Sequence, residues 1–187
     1  MENINTNNTK KIVLNGVAIA LVFLATVFTR IPGPIPPGYI NFGDAVIMIA
    51  AIFLGKSSGF IAGAFGSALA DILAPGGLIF APITFIVKGL EGYIIGRIAH
   101  VKRNEEIKYS KKLETRKILG VVAGALVMIA GYFLAELSVL KLFDPTFGYA
   151  AAIAELPFNF IQGGVSVALG YVLTSLLQKA GIHKFLE

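Results

Sequence analysis

The sequence predicts an all-α integral membrane protein, a bundle of six transmembrane helices with both termini in the cytoplasm. Three observations carry that prediction. Charged residues make up 14% of the 187 and hydrophobic ones 56%, whereas a soluble domain carries roughly 25% charged. The apolar residues come in long blocks, as spans of a ~30 Å hydrocarbon core require. The basic residues collect on one side of the layer that those blocks would form.

The elements follow in order, as one membrane domain over 1–187. Residues 1–11 form a polar cytoplasmic tail ending in Lys10 and Lys11, and 12–28 is an uncleaved first span, too long and without the small-residue site of a signal peptide. The segment from Arg30 to Gly38 holds four prolines and is expected to be extended and stiff. A second span covers 42–54, and a break at 55–58 separates it from a third at 59–73; both are short and are expected to be tilted or shielded. A turn at 74–77 leads to the fourth span at 81–100, with Pro82 suited to its first turn. Residues 101–117 read as a basic cytoplasmic loop. The fifth span covers 118–139, residues 144–148 turn the chain, and the sixth helix runs from Pro157 to Leu177.

Six spans place both ends on one side, and Lys and Arg decide which. With the N-terminus inside, 13 of the 16 are cytoplasmic, Lys117 among them; Arg30 and Lys141 are outside, and Lys88 is inside the membrane. That distribution accounts for the net charge of +5 without a nucleic acid. The absence of Cys excludes disulfides and thiol chemistry. His100 and His183 sit beside helix ends and read as interfacial rather than metal-bound. No cofactor, metal site or catalytic set is expected. Gly55-Lys56-Ser57 looks like the end of a phosphate loop, but Ala50 stands where its first glycine is required.

The polar residues within the spans are the informative ones. Thr84, Lys88 and Glu91 fall at i, i+4 and i+7 on one face of the fourth helix. Lys88 and Glu91 lie roughly 9 Å and 14 Å below Pro82, near mid-membrane. Glu155, Asn159, Gln162 and Ser166 share a face of the sixth helix, and Tyr132 and Glu136 lie four apart in the fifth. Asn41 and Asp44 open the second helix and Asp71 closes the third. All of these fall in the outer half of the bundle, over inner halves that are almost wholly apolar. The pattern predicts a substrate pocket that opens outward and is closed inward.

Each of these residues has a plainer reading. Asn41 with Asp44 is also a helix-capping pair. Asp71 is also an interfacial helix end, and Glu155 a rim residue. Asn159 and Gln162 also serve as hydrogen bonds between helices, and Lys88 and Glu91 can simply neutralise each other. The excess of acids over the one embedded Lys favours a neutral or cationic ligand. Pairs of small residues four apart (Gly16/Ala20, Gly59/Gly63, Gly66/Ala70, Gly92/Gly96, Gly120/Gly124) permit close helix approach. Gly16 and Ala20 could also receive a partner.

Three ordered blocks, Tyr39-Ile-Asn-Phe-Gly-Asp44-Ala-Val, Gly63-Ala-Phe-Gly-Ser-Ala-Leu-Ala-Asp71 and Ala81-Pro-Ile-Thr-Phe-Ile-Val-Lys88-Gly-Leu-Glu91-Gly, resemble the substrate-capture (S) components of energy-coupling factor (ECF) vitamin transporters. The likeness spans nearly the whole chain and points to the branch with riboflavin-, hydroxymethylpyrimidine- and pyridoxine-type members. It implies a vitamin pocket built from helices four to six and covered by the loop after helix one, here the Pro-rich segment with Gly33 and Gly38 as hinges. It also implies a cell-membrane protein that topples on a module of one transmembrane coupling (T) subunit and two cytoplasmic ATPase (A) subunits. The family's docking pattern is Ala-xxx-Ala; Gly16 and Ala20 match it in spacing, with Gly in first place.

No Trp is present to stack on a large flavin, which leaves Tyr132, Phe158 and Phe160 as platforms. The expected ligand is a small heterocycle, hydroxymethylpyrimidine or a vitamin B6 form; riboflavin and pantothenate are the alternatives. A self-sufficient secondary carrier is the rival class, and the apolar inner halves argue against its continuous path. An intramembrane enzyme lacks a visible nucleophile–base pair.

Overall fold

Proline and glycine punctuate a chain that is otherwise helical wherever the apolar blocks run. The computed structural model describes residues 6–101 and 111–182. In order these are α1 (Thr6–Phe28), a two-stranded hairpin of β1 (Ile31–Pro32) and β2 (Tyr39–Ile40), α2 (Gly43–Leu54), α3 (Lys56–Ile72), α4 (Ala81–Ala99), α5 (Lys111–Leu134) and α6 (Tyr149–Lys179). A π-turn at Ala135–Val139 and a 3-10 turn at Leu140–Leu142 prolong α5.

Local chemistry sets these boundaries. The prolines of the 32–37 segment exclude helix, and the chain instead folds back on itself, pairing Ile31 with Ile40 antiparallel. Gly55, at φ 87°, makes the one-residue turn between α2 and α3. Asp144 accepts the Thr146 amide at 2.9 Å and ends the α5 extension in an Asx turn. Its exposed carboxyl is held below the usual range, chiefly by the Thr146 hydroxyl.

Four expectations are corrected. The first helix begins at Thr6, so the polar tail is shorter than 1–11. The break at 55–58 shrinks to Gly55, because Lys56 to Ser58 already belong to α3. The sixth helix begins at Tyr149, with Pro157 inside it. A Pro frees the carbonyl one turn earlier, and packed membrane-type helices accommodate that loss.

The fourth correction concerns α5, which begins at Lys111, so part of the loop placed at 101–117 is helical. Lys117 is fully buried there rather than in a loop, donating to Gln178 Oε1 at 2.9 Å and paired with Glu114 at 2.7 Å. The end of the bundle away from the hairpin, expected to be almost wholly apolar, therefore holds a buried charge. His100 is half-buried, its Nδ1 3.0 Å from the Ile52 carbonyl. The remaining loop residues at 102–110 and the tail at 183–187, with His183, lie outside the described residues.

The distribution of polarity is inverted relative to a soluble protein. Phe28 and Leu142 are 80% and 82% exposed, while Lys88, Asp44 and Glu91 are buried. Among the described residues, three stretches are long and apolar enough to cross a membrane: Asn8–Phe28, Lys111–Leu142 and Tyr149–Lys179. The 12 residues of α2 reach only ~18 Å. Helix α4 packs most extensively on α3 and next on α5, and α2 is wedged between α3, α4 and α6. That arrangement puts the polar faces of α2, α4 and α6 opposite one another.

Candidate functional site

The site is built around one buried cation. Lys88 projects from α4 and is 2% exposed. It donates to Asp44 of α2 in a short, fully buried ion pair. Glu91, one turn further along α4, lies 3.4 Å away, an electrostatic partner beyond strong hydrogen-bond range. The Tyr132 ring of α5 faces the ammonium at 5.4 Å from its centroid. Thr84 and Tyr132 share a hydrogen bond of 2.9 Å. Three helices, α2, α4 and α5, thus meet at a single charge.

Gln162 of α6 links that centre to the hairpin. Its Nε2 donates to Asp44 Oδ2 at 2.8 Å, and its Oε1 accepts the Asn41 amide at 2.9 Å. Asn41 Oδ1 in turn accepts the Gly43 amide at 2.8 Å. The cap position of α2 is Phe42, which makes no side-chain capping bond, so Asn41 stands one residue before the helix in an Asx-type turn, and Asp44 belongs to the ion network.

The hairpin closes over these groups. Glu155 Oε1 accepts the Ile35 amide at 3.0 Å, and Gly33 and Gly38 crowd the same carboxylate so closely that an added Cβ would stand 3.0–3.1 Å from it. On the opposite side Tyr39 donates a short hydrogen bond to Asp71 at the end of α3. Burial, then the Asp71 carboxylate, push the Tyr39 phenol well above its ordinary range, so it stays a neutral donor. Arg30 stacks on the Tyr39 ring at 5.0 Å and donates to the Ala70 carbonyl, capping the C-terminal turn of α3.

Beneath the hairpin is a cavity of about 40 Å³. Nine residues singled out in the sequence line it: Asn41, Asp71, Thr84, Lys88 and Tyr132, and on its α5–α6 side Glu136, Glu155, Asn159 and Gln162. Two others, Asp44 and Glu91, stand behind Lys88 and are not among its lining residues. Phe158 is not in the lining either, and Phe160 is 53% exposed on the outer face of α6. The expectation that those two serve as platforms is corrected: the aromatic walls are Tyr132, Tyr39 and Phe80. Ser67, four residues before Asp71 on α3, also lines the cavity, as does Thr26, which no sequence pattern marks. Both are buried, turned inward by the packing of α1 and α3.

Gly16 and Ala20 lie elsewhere, exposed on α1, and a Cβ added at Gly16 would meet nothing within 4 Å. The other small pairs are internal. Those of α3 and α4 interlock, since a Cβ at Gly63 would stand 2.3 Å from the Lys88 carbonyl oxygen. That contact fixes the depth of Lys88 against α3.

Comparison with known proteins follows the same lines. A family model described as "ECF-type riboflavin transporter, S component" matches residues 6–179. A Pyrococcus woesei protein described only as uncharacterized is 35% identical over 158 residues, covering 84% of this chain and 95% of its own. The "Thiamine precursor transporter HmpT" of Lactococcus lactis subsp. cremoris is 28% identical over 183 residues, 97% of this chain and 96% of that protein. A solved structure described as the S component of a bacterial ECF transporter superposes with a TM-score of 0.59, covering 94% of this chain and 96% of that one. At 20% identity, this last likeness concerns the fold.

Proposed function

This chain belongs to the ECF-type riboflavin transporter S-component family, and on that premise we propose that it captures a vitamin or vitamin precursor for an ATP-driven importer of the bacterial plasma membrane. In this reading the six helices all cross or enter the bilayer as one domain, with both termini in the cytoplasm and the hairpin outside. The uneven distribution of Lys and Arg supports that orientation. The chain itself is not an enzyme; ATP hydrolysis falls to two A subunits, and a T subunit receives the capture protein as it topples.

The observation that carries the reading is the polar cavity roofed by the hairpin and floored by Lys88. A cavity of about 40 Å³ is far smaller than the ~300–1,000 Å³ of typical ligand pockets, so loading requires the hairpin to lift. The ligand we favour is hydroxymethylpyrimidine or a vitamin B6 form, a single ring that Tyr132, Tyr39 or Phe80 can stack against. The thiamine-precursor relative supports that choice. Lys88, Thr84, Asn159, Gln162, Glu136, Glu155, Asn41 and Asp71 are its proposed contacts, with Asp44 and Glu91 holding Lys88 in place.

The test is mass spectrometry of whatever small molecule accompanies the detergent-purified protein, followed by titration with the vitamins named. Stoichiometric retention of a single-ring vitamin is expected. Retention of riboflavin instead would keep the role and change the cargo, and failure of every vitamin to bind would remove the reading. A separate expectation concerns the exposed face of α1. Gly16→Leu or Ala20→Leu should abolish ATP-dependent uptake in vesicles carrying the T and A subunits, with ligand binding retained. Loss of binding as well would point to a folding defect and away from docking at that face.

A further inference from the structure

The outer end of the cavity, away from Lys88, is built differently and is unfinished. Glu136 lines it and is 3% exposed, yet its Oε2 has no hydrogen-bond partner among the described residues. It sits in the π-turn that interrupts α5, and such widened turns recur at functional sites. Ser138 favours the distortion, since its hydroxyl donates back to the Leu134 carbonyl at 2.5 Å.

Among the described residues, no ion pair reaches Glu136. Its charged neighbour is another acid, Glu155, which is already engaged by the Ile35 amide. Lys88 is occupied by Asp44 and Glu91, Arg30 by the Ala70 carbonyl and the Tyr39 ring, and Lys141 is exposed alongside Gly148. A buried carboxylate without a donor is costly, and a ligand that brings the donor relieves that cost.

Resting on the vitamin-pocket reading above, we propose that Glu136 reads the ligand, selecting a single-ring nitrogen heterocycle that carries an amine over the same ring without it. Aminopyrimidines and aminomethylpyridines are the two ring classes that satisfy both Glu136 and the aromatic walls. The amine donates to the unpartnered carboxylate oxygen, while the ring lies against Tyr132, Tyr39 or Phe80. Because Oε2 has no hydrogen bond to lose, Gln in place of Glu136 leaves the fold intact while removing the charge that the amine meets.

The experiment is calorimetric titration of the purified full chain with two matched pairs: hydroxymethylpyrimidine against its desamino analogue, and pyridoxamine against deoxypyridoxine. For at least one pair, the wild-type protein should prefer the amine by about 10- to 100-fold, the range expected of a hydrogen bond to a charged group. In Glu136→Gln that ratio should fall towards one. Difference infrared spectra give a second measurement, with a carboxylate band that shifts on binding the amine in the wild type and is missing in the variant. An unchanged ratio, equal loss of both rings, or no such band overturns the inference. If the wild type binds both rings alike, only this inference falls; if it binds neither, the vitamin-pocket reading falls with it.

Discussion

Lys88→Met is expected to destabilise the protein by about 3–5 kcal/mol, more than any other single side-chain truncation in the bundle. Lys88, Asp44 and Glu91 are 2%, 1% and 0% exposed, so removing the cation leaves two carboxylates in a medium that solvates neither. Methionine matches the length of the lysine stem, so the loss isolates charge from packing. The pair Lys88→Met with Asp44→Asn should lose markedly less than Lys88→Met alone. One acid is then gone, so the buried site no longer holds two like charges without a cation. Unfolding in detergent, followed by circular dichroism for wild type, both single variants and the double, gives the coupling directly. A Lys88→Met protein as stable as wild type would show that the ion network is incidental. If the double variant is folded yet binds no ligand, Lys88 has a role in recognition separate from its structural one.

That network shows which parts of the site could be read from sequence. The faces carrying Thr84, Lys88 and Glu91, and Glu155, Asn159, Gln162 and Ser166, follow from helical periodicity, and every one of these residues is buried. Periodicity does not say which helix stands opposite. Asp44, rather than Glu91, makes the short contact to Lys88, and it comes from a helix that pattern alone allowed to be merely capped. Phe160 was misplaced for a related reason. It is adjacent to Asn159 in sequence, but one residue turns the helix by about 100°, which carries it to the outer face.

The helix ends were the least legible feature. Residues 111–117 look like solvated linker because they are charged, yet the helix outlasts its apolar stretch and folds Lys117 against Gln178 of α6. Pro157 looks like a start signal because in soluble helices it so often is one; here the α5–α6 packing carries the helix through it. The link from Tyr39 to Asp71 joins residues 32 apart, and the link from Ile35 to Glu155 joins residues 120 apart. No local signal encodes such pairs. The glycine spacing, by contrast, identified the close-packed seam, though not which backbone each glycine meets.

Gly92→Ala is the second large effect expected, about 3 kcal/mol of destabilisation, the upper end of overpacking. The added Cβ would stand 2.1 Å from the Gly59 carbonyl oxygen and 2.5 Å from its carbon. Those are backbone atoms of α3, so no side-chain rotation can relieve the clash, and α4 must move as a unit. Because the Lys88 carbonyl abuts Gly63 in the same seam, a shift of α4 also displaces the cation from Asp44. Ligand affinity should therefore fall together with stability, although Gly92 touches nothing in the cavity. Gly164→Ala is the control. It adds the same methyl to a helix interior with nothing within 4 Å, and should be neutral or stabilising by about 0.5–1 kcal/mol. Gly16→Ala, with equal room on α1, should behave in the same way and keep uptake, since it leaves a small residue at the proposed docking face. Thermal unfolding and ligand titration of the three variants decide the matter. A Gly92→Ala protein no less stable than Gly164→Ala would mean that the α3–α4 seam has slack, and that Lys88 is positioned by its ion pairs alone.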